Sequence, residues 1–247
     1  MFKANTWGKK FLALLLMAAM VWMLLPAFAL PVFAASGWVD GSGEPLELYF
    51  NIMSETTAQV TFRLGAAPYM GERNYYYTGD IVIPGTVYNG GKAYQVTSIG
   101  DNAFAYAVEL NSVVIPEGVE YIDAFAFRSS AVTSVTIPST VKVLGGSAFQ
   151  QCGDLTAISI PEALESIGNS CFYSCAKLEL SGPVLPATLH TLGNQAFYGC
   201  AALKQMTIPE GITAIGDYTF SGCSGLESIT VSNHRHGGFR RLRFDLY

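Results

Sequence analysis

The stretch LGNQAFYGCAALKQMTIP, Leu192 to Pro209, decides the fold because it does not occur once. Laid against the rest of the chain it belongs to a set of six copies. They read VTSIGDNAFAYAVELNSVVIP, VEYIDAFAFRSSAVTSVTIP, VKVLGGSAFQQCGDLTAISIP, LESIGNSCFYSCAKLELSGPVLP, LHTLGNQAFYGCAALKQMTIP and ITAIGDYTFSGCSGLESITVS. Phe104, Phe127, Phe149, Phe172, Phe197 and Phe220 hold one place in the pattern, and Pro116, Pro138, Pro161, Pro186 and Pro209 close it, with Ser232 in the last copy. A fixed period of about 23 residues predicts a solenoid, in which each unit buries its apolar face only against its neighbours.

Every copy reads the same way physically. A brief apolar alternation such as Val96 and Ile99 predicts a short strand. Glycine then follows in IG or LG, with Asp123 in the second copy, at a position expected to need a left-handed backbone. Asp101, Asn169, Asn194 and Asp217 come next and are expected to cap a helical turn. The Phe enters the core, and Leu110, Val132, Leu155, Leu178, Leu203 or Leu226 returns the chain to a second strand ended by proline. Burying each Phe contributes roughly 2–3 kcal/mol, and Phe172→Ala or Phe197→Ala is expected to cost about 3–5 kcal/mol in a thermal melt. The fourth copy carries extra residues in LELSGPVLP, which predicts a bulge or bend at Gly182-Pro183.

The repeats from Val96 to Val231 resemble the BspA-type leucine-rich repeat, a bacterial family of secreted and surface proteins. Upstream, LYFNIMSETTAQVTF and TGDIVIPGTVYNGGKAYQVTSIGDNAF look like the β-rich module that opens such arrays. Asn89-Gly90 there predicts a hairpin turn. The expected fold is therefore a repeat solenoid, a leucine-rich-repeat-like stack of short parallel β-strands and helical turns with a β-rich N-terminal cap. Its expected organisation is a signal peptide at 1–34, a capping module at 35–95, the solenoid at 96–233 and a basic non-repeat tail at 234–247.

The signal reading rests on order of composition. Lys3, Lys9 and Lys10 precede an apolar run from Phe11 to Leu30, and Val32-Phe33-Ala34 supplies a small-residue cleavage pattern. The run is also long enough to span a membrane if left uncleaved; Pro26, Pro31 and the alanine-rich exit favour cleavage after Ala34. The whole chain holds 14 basic and 19 acidic residues. Without the signal and the tail, the body from Ala35 to Asn233 keeps 7 basic against 18 acidic residues. Such a body repels phosphate backbones, which argues against a nucleic-acid partner.

Cys152, Cys175, Cys200 and Cys223 each stand three residues after the Phe, and so form a column selected by position. Rungs about 5 Å apart would suit a disulfide in Cα distance, but parallel side chains do not converge to the required Cβ spacing. A secreted chain permits disulfides; buried free thiols acting as small hydrophobes are the preferred reading. Cys171 reads as another small core residue, and CFYSC lacks the partner pair a zinc site needs.

No catalytic constellation emerges, and no cofactor or metal is expected. His190 reads as a solvated strand residue, and His234 and His236 lack a carboxylate cluster beside them. No nucleophile elbow is present, YNGGK belongs to a turn, and Glu117, Glu162 and Glu210 read as turn acids after the prolines. What remains is a surface. Strand periodicity turns Ser134, Thr136, Ala157, Ser159, Gln205, Thr207, Ser228 and Thr230 outward as a hydroxyl-rich wall. Tyr106, Tyr173, Tyr198 and the run Tyr75-Tyr76-Tyr77 are the next exposed candidates.

The expected function is non-enzymatic, with a protein partner bound through that strand face. The family resemblance implies host extracellular-matrix or cell-surface proteins as partners, and a secreted or cell-surface, adhesive role. A structural spacer or cap from a larger surface protein, or a glycan-binding module, is the alternative. The final HRHGGFRRLRFDLY reads either as a basic partner-binding tail or as a truncated or frame-shifted end, the second being preferred.

Overall fold

The structure, a computed structural model, describes residues 38–40, 42, 48–61, 74–180 and 185–232. The expected signal segment, the expected bend at Gly182-Pro183 and the basic tail lie outside the described residues. In chain order the strands begin with β1 (Trp38–Val39), β2 (Tyr49–Ile52), β3 (Thr57–Thr61), β4 (Asn74–Val82), β5 (Thr86–Asn89) and β6 (Lys92–Ile99). They continue with β7 (Ala107–Val114), β8 (Tyr121–Ile122), β9 (Ser134–Thr136), β10 (Val143–Leu144) and β11 (Ala157–Ile158). The last are β12 (Ser166–Ile167), β13 (Glu179–Leu180), β14 (Thr191–Leu192), β15 (Gln205–Ile208) and β16 (Ser228–Val231).

Each of the first five repeats contributes one strand to each side of the stack, and the sixth contributes β16 alone among the described residues. One wall runs β6, β8, β10, β12, β14 in parallel, with Ile99, Ile122, Leu144, Ile167 and Leu192 in register and turned inward. The other runs β4, β7, β9, β11, β13, all parallel, and β15 with β16 forms a separate parallel pair. β-Branched residues at alternate positions suit such strands, since one face packs on the core while the other meets water. Proline then turns the chain: the carbonyls of Pro116, Pro138, Pro161, Pro186 and Pro209 each accept from the amide three residues on.

The corners at the Phe correct the sequence reading, because the described residues contain no helix. Instead the backbone amides alternate in their partners. Those of Asn102, Phe104 and Tyr106 donate to the carbonyls of Ala124, Ala126 and Arg128 in the next rung, at 3.2, 2.7 and 2.8 Å. Those of Ala103, Ala105 and Ala107 close turns onto Gly100, Asn102 and Phe104 at 3.1, 3.1 and 3.3 Å. Left-handed residues punctuate this path four apart, Asn102 at φ 57° and Tyr106 at φ 58°, and no α-helix tolerates that. Stacking wins because a turn this short gains too little from its own hydrogen bonds to nucleate a helix, whereas a neighbouring rung offers a full set.

Two further expectations change for the same reason. The capping residues bond across rungs rather than along a helix: Asn169 Oδ1 accepts from the Asn194 amide at 2.9 Å, and Asn194 Oδ1 from the Asp217 amide at 3.0 Å. The glycines of IG and LG do not hold the left-handed position, which falls two residues later at Asn102, Phe125, Ser147, Ser170, Gln195 and Tyr218. They are required by proximity. A methyl built on Gly145 would lie 2.6 Å from the Asp123 carbonyl carbon, and one on Gly168 would lie 2.6 Å from the Gly146 nitrogen.

Between the walls the six signature rings form one buried column, with centroids 5.0, 5.0, 5.4, 5.3 and 5.7 Å apart in turn. Successive ring planes stay within 15° of parallel. The N-terminal end of the column is closed by Tyr77 of β4, whose ring lies 4.9 Å from that of Phe104 and whose hydroxyl donates to the Thr61 carbonyl at 2.8 Å. Tyr77 is thus buried, contrary to its expected exposure, and burial raises its pKa far above the usual tyrosine value. Upstream, Trp38 packs on Phe50 and Tyr94 at 5.3 and 5.5 Å, and β3 lies parallel on β6. The hairpin turn of β5 and β6 sits one residue later than expected, with Gly90 and Gly91 as its central pair at φ 57° and 79°.

Candidate interaction face

The outward side of the second wall is built by register. Ser112 pairs with Ser134 and Val114 with Thr136, Ser134 pairs with Ala157, Gln205 with Ser228, and Thr207 with Thr230. Alternation places Val135, Ile158 and Met206 in the core, and leaves Ser134, Thr136, Ser159, Gln205, Ser228 and Thr230 exposed. Thr207 is half-buried. The strand ladder separates these residues into two groups. Ser134, Thr136 and Ser159 belong to the wall that ends at β13, and Gln205, Thr207, Ser228 and Thr230 to the β15–β16 pair.

The break lies where the fourth repeat carries its extra residues. The amides of Thr133, Thr156 and Glu179 each donate to the same position of the preceding rung, and that of Glu227 donates to Lys204, but no such bond joins Lys204 to Glu179. A cleft of about 180 Å³ opens there, lined by Glu179, Leu180, Ala202, Leu203, Lys204 and Gln205.

At the opposite end the wall is more apolar than the sequence reading held. Val82 is 71% exposed and Val114, directly beside it, is 40% exposed, and Val114 continues into Thr136. The hydrophobic alternation of LNSVVIP and GDIVIP carried this signal, since both strands show one apolar residue more than a one-sided strand needs. Beside them Asp80 accepts from Asn111 Nδ2 at 2.6 Å and Ser112 Oγ at 2.5 Å, and these bonds hold its carboxyl below the usual carboxylate range. The Thr133 hydroxyl donates to the Asn111 carbonyl and that of Thr156 to the Thr133 carbonyl, so the edge of the wall is fastened rung to rung.

The other wall shows a charge column in which Lys142 lies 3.0 Å from Glu120, and exposed His190 lies 4.0 Å from Glu165. Tyr106, Tyr173 and Tyr198 are half-buried on the Phe corners, the last two stacked at 4.7 Å. Arg128 lies over the rings of Tyr106 and Phe125 at 5.8 and 5.4 Å. Glu117 serves structure, accepting from the Ser139 amide and hydroxyl at 3.1 and 2.9 Å.

All five cysteines are free and buried. Cys152, Cys175, Cys200 and Cys223 each donate to the carbonyl of the Phe one rung earlier, at 3.0, 3.0, 3.1 and 3.0 Å. Burial pushes the Cys152 thiol up to about 12 and that of Cys223 to about 11, far from thiolate reactivity. Among the described residues no group of three or more His, Cys, Asp or Glu side chains is placed to hold a metal ion. Nor is any described helix long and apolar enough to cross a membrane.

Short parallel strands, stacked corners and a single aromatic column define a leucine-rich-repeat solenoid. The BspA type leucine rich repeat region matches residues 97–181 and 179–236 in six copies, and the chain belongs to that family. It is similar to a leucine-rich repeat protein from Bacteroides ovatus, with 29% identity and a TM-score of 0.63 over 74% of this chain and 45% of that one. The leucine rich repeat protein of T. pallidum shares 25% identity and a TM-score of 0.63, with 74% and 78% of the two chains covered. A leucine rich cell surface protein from Faecalibacterium prausnitzii shares 29% identity and a TM-score of 0.55, over 80% of this chain and 55% of that one. The chain therefore spans about half the length of the B. ovatus and F. prausnitzii relatives. No curated protein matches it in sequence.

Proposed function

We propose that this chain is a non-enzymatic interaction module, secreted or held at a cell surface, which binds a protein partner through the outward side of its second wall. The observation that carries this reading is the in-register row Ser112, Ser134 and Val114, Thr136, where small side chains from adjacent parallel strands leave a flat, accessible surface. Such a wall suits many weak contacts spread over a rigid face, with the exposed Val82 and Val114 as its apolar end. Ser159 extends it along the second wall, and Gln205, Thr207, Ser228 and Thr230 add a further patch on the separate β15–β16 pair. The surface location draws on the F. prausnitzii cell surface protein, and host extracellular-matrix or cell-surface proteins are the partners that the family resemblance favours. In this reading the chain divides into a leader at 1–34, a β-rich cap at 35–95, the solenoid at 96–233 and a tail at 234–247.

The test is a binding screen of the chain against matrix proteins and glycans, repeated with Thr136→Lys, Ser159→Lys and Thr207→Lys combined. Long charged side chains on the wall should abolish binding to a protein ligand while leaving the melting temperature within a few degrees. Binding that survives the triple substitution places the contact elsewhere, and capture of glycans alone favours the glycan-binding alternative.

A further inference from the structure

Parallel register gathers one composition at the N-terminal end of the second wall. β4 and β7 set Thr78 beside Glu109, Asp80 beside Ser112 and Val82 beside Val114, and β9 continues the last two rows as Ser134 and Thr136. Alternation turns this set outward, away from buried Ile83, Leu110, Val113 and Val135. Val82 and Val114 are exposed, and Pro84 and Pro116, next outward along the same two chains, are half-buried. Three exposed acids border this apolar strip: Asp80 and Glu109 on the strands, and Glu117 in the turn beyond.

The carboxylate of Asp80 is held in place. Asn111 Nδ2 and Ser112 Oγ both donate to its Oδ1, at 2.6 and 2.5 Å, which fixes the group and leaves Oδ2 for a donor from outside. Bonds to the charged form also keep it ionised. The described cations lie elsewhere. Arg128 sits over the rings of Tyr106 and Phe125, and Lys92 over that of Tyr94. Lys142 lies beside Glu120, Lys177 beside Asp154, and Lys204 lines the cleft with Glu179. An oriented carboxylate with no cation of its own among the described residues, next to exposed valines, is complementary to a basic partner.

We infer that the partner of this wall is a protein segment in which arginine or lysine alternates with apolar side chains, its cations on Asp80 and Glu109 and its apolar groups on Val82 and Val114. This rests on the wall being the binding face, and adds the chemistry that the face takes. Spacing sets the pattern. Asp80 and Val82 stand two residues apart on one side of β4, about 6.6 Å along the strand, so an extended partner presents cation and apolar group at i and i+2. Arginine fits best, because its planar fork meets a carboxylate while its stem lies along apolar surface. The same acids disfavour nucleic acid and anionic glycans here.

The probe is a capped peptide with arginine, valine, arginine and valine at alternate positions and threonine between them. On titration the amide resonances of the intact chain should shift at 78–82, 109–114 and 134–136, and the same peptide with glutamate for arginine should shift none. Asp80→Asn with Glu109→Gln should weaken the arginine peptide by at least about threefold, as should a rise in salt from ~0.05 to ~0.5 M. Val82→Thr with Val114→Thr, which suits the strands equally well, should weaken it to a similar degree. Equal binding of the two peptides, shifts confined to other residues, no shift at all, or undiminished binding to the acid-free variant overturns the inference. The wall and its chemistry fail separately. A matrix protein whose capture is abolished by the triple lysine substitution but unchanged by Asp80→Asn with Glu109→Gln keeps the wall and overturns the inference. Peptide binding at 78–82 together with capture that survives the triple substitution upholds this patch and places the matrix contact elsewhere.

Discussion

The Sγ of Cys200 lies 3.1 Å from the carbonyl oxygen of Phe172, one rung earlier in the stack. The same carbonyl accepts the amide of Cys175 at 3.1 Å, so the thiol takes its second lone pair. Cysteine here is a small apolar filler that also donates. The second rung shows that oxygen fits the column, since Ser130 takes this place and its hydroxyl lies 3.5 Å from Cys152 Sγ. Cys200→Ser should therefore cost less than Cys200→Ala, which loses the bond and leaves a void, at about 1–2 kcal/mol. Urea denaturation of the two variants checks the order; equal losses would reduce the thiol to mere volume.

Burial of these thiols makes the fold sensitive to alkali. Burial penalises the thiolate and pushes the folded Cys152 thiol up to about 12, against 9.0 for an exposed thiol. The raised folded value means that stability is complete below pH 9 and is lost as pH rises toward 12, since the unfolded chain releases its proton first. Each such thiol contributes a loss of up to about 1.4 kcal/mol per pH unit over that window. Thermal melts from pH 8 to 11 should show a steep fall above 9 that flattens when Cys152, Cys175, Cys200 and Cys223 are all serine. In the native protein at pH 8 a thiol reagent should find none of the five cysteines, and in denaturant all of them.

Glycines of the two kinds should respond differently to a methyl group. Gly199 adopts φ 70°, and its built methyl makes only ordinary van der Waals contact, with Ser174 Oγ nearest at 3.5 Å. Gly199→Ala should thus cost only the backbone term, about 1–2 kcal/mol. Gly145 and Gly168 meet the backbone of the preceding rung at 2.6 Å, which cannot give way without parting the rungs. Gly145→Ala or Gly168→Ala should cost about 3 kcal/mol or more. Chemical denaturation ranks them, and a smaller loss at Gly145 than at Gly199 would contradict the close approach.

Asp123 occupies the place of those glycines in the second rung. Its Oδ2 accepts from Gln59 Nε2 at 2.7 Å, and burial together with neighbouring Asp101 raises its pKa. The ionised carboxylate is therefore a net strain on the fold at neutral pH. Asp123→Asn, which still accepts from Gln59, should raise the melting temperature at pH 7, with the gain shrinking as pH falls toward the ordinary carboxylate value of about 4 and gone below it, where both states are protonated. No gain at pH 7 would mean that the carboxylate is as well solvated folded as unfolded.

Much of this was legible in one dimension because the repeat multiplies each signal. Phe149, Phe172 and Phe197 recur at one offset, and residues at one offset in a stack must share one column; their rings do lie 5.4 and 5.3 Å apart. Alternation in SVTIP separated inward Val135 from outward Ser134 and Thr136 without any coordinates. The candidate face was read less completely. Val82 and Val114 belong to strands whose pairing crosses from the cap into the first rung, and no local pattern announces that neighbour.

The amino-acid order alone determined that rungs exist, where each begins, and which side chains point inward, since period and alternation are properties of the chain itself. Only the tertiary structure decided how the corners are made. Backbone groups at Asn102, Phe104 and Tyr106 bond to the next rung, and that choice replaces the expected helical turn, moves the left-handed residues away from the glycines, and turns Asn169 from a cap into a link. The physical reason is that a hydrogen bond between rungs depends on the distance between stacked chains, which no single repeat contains.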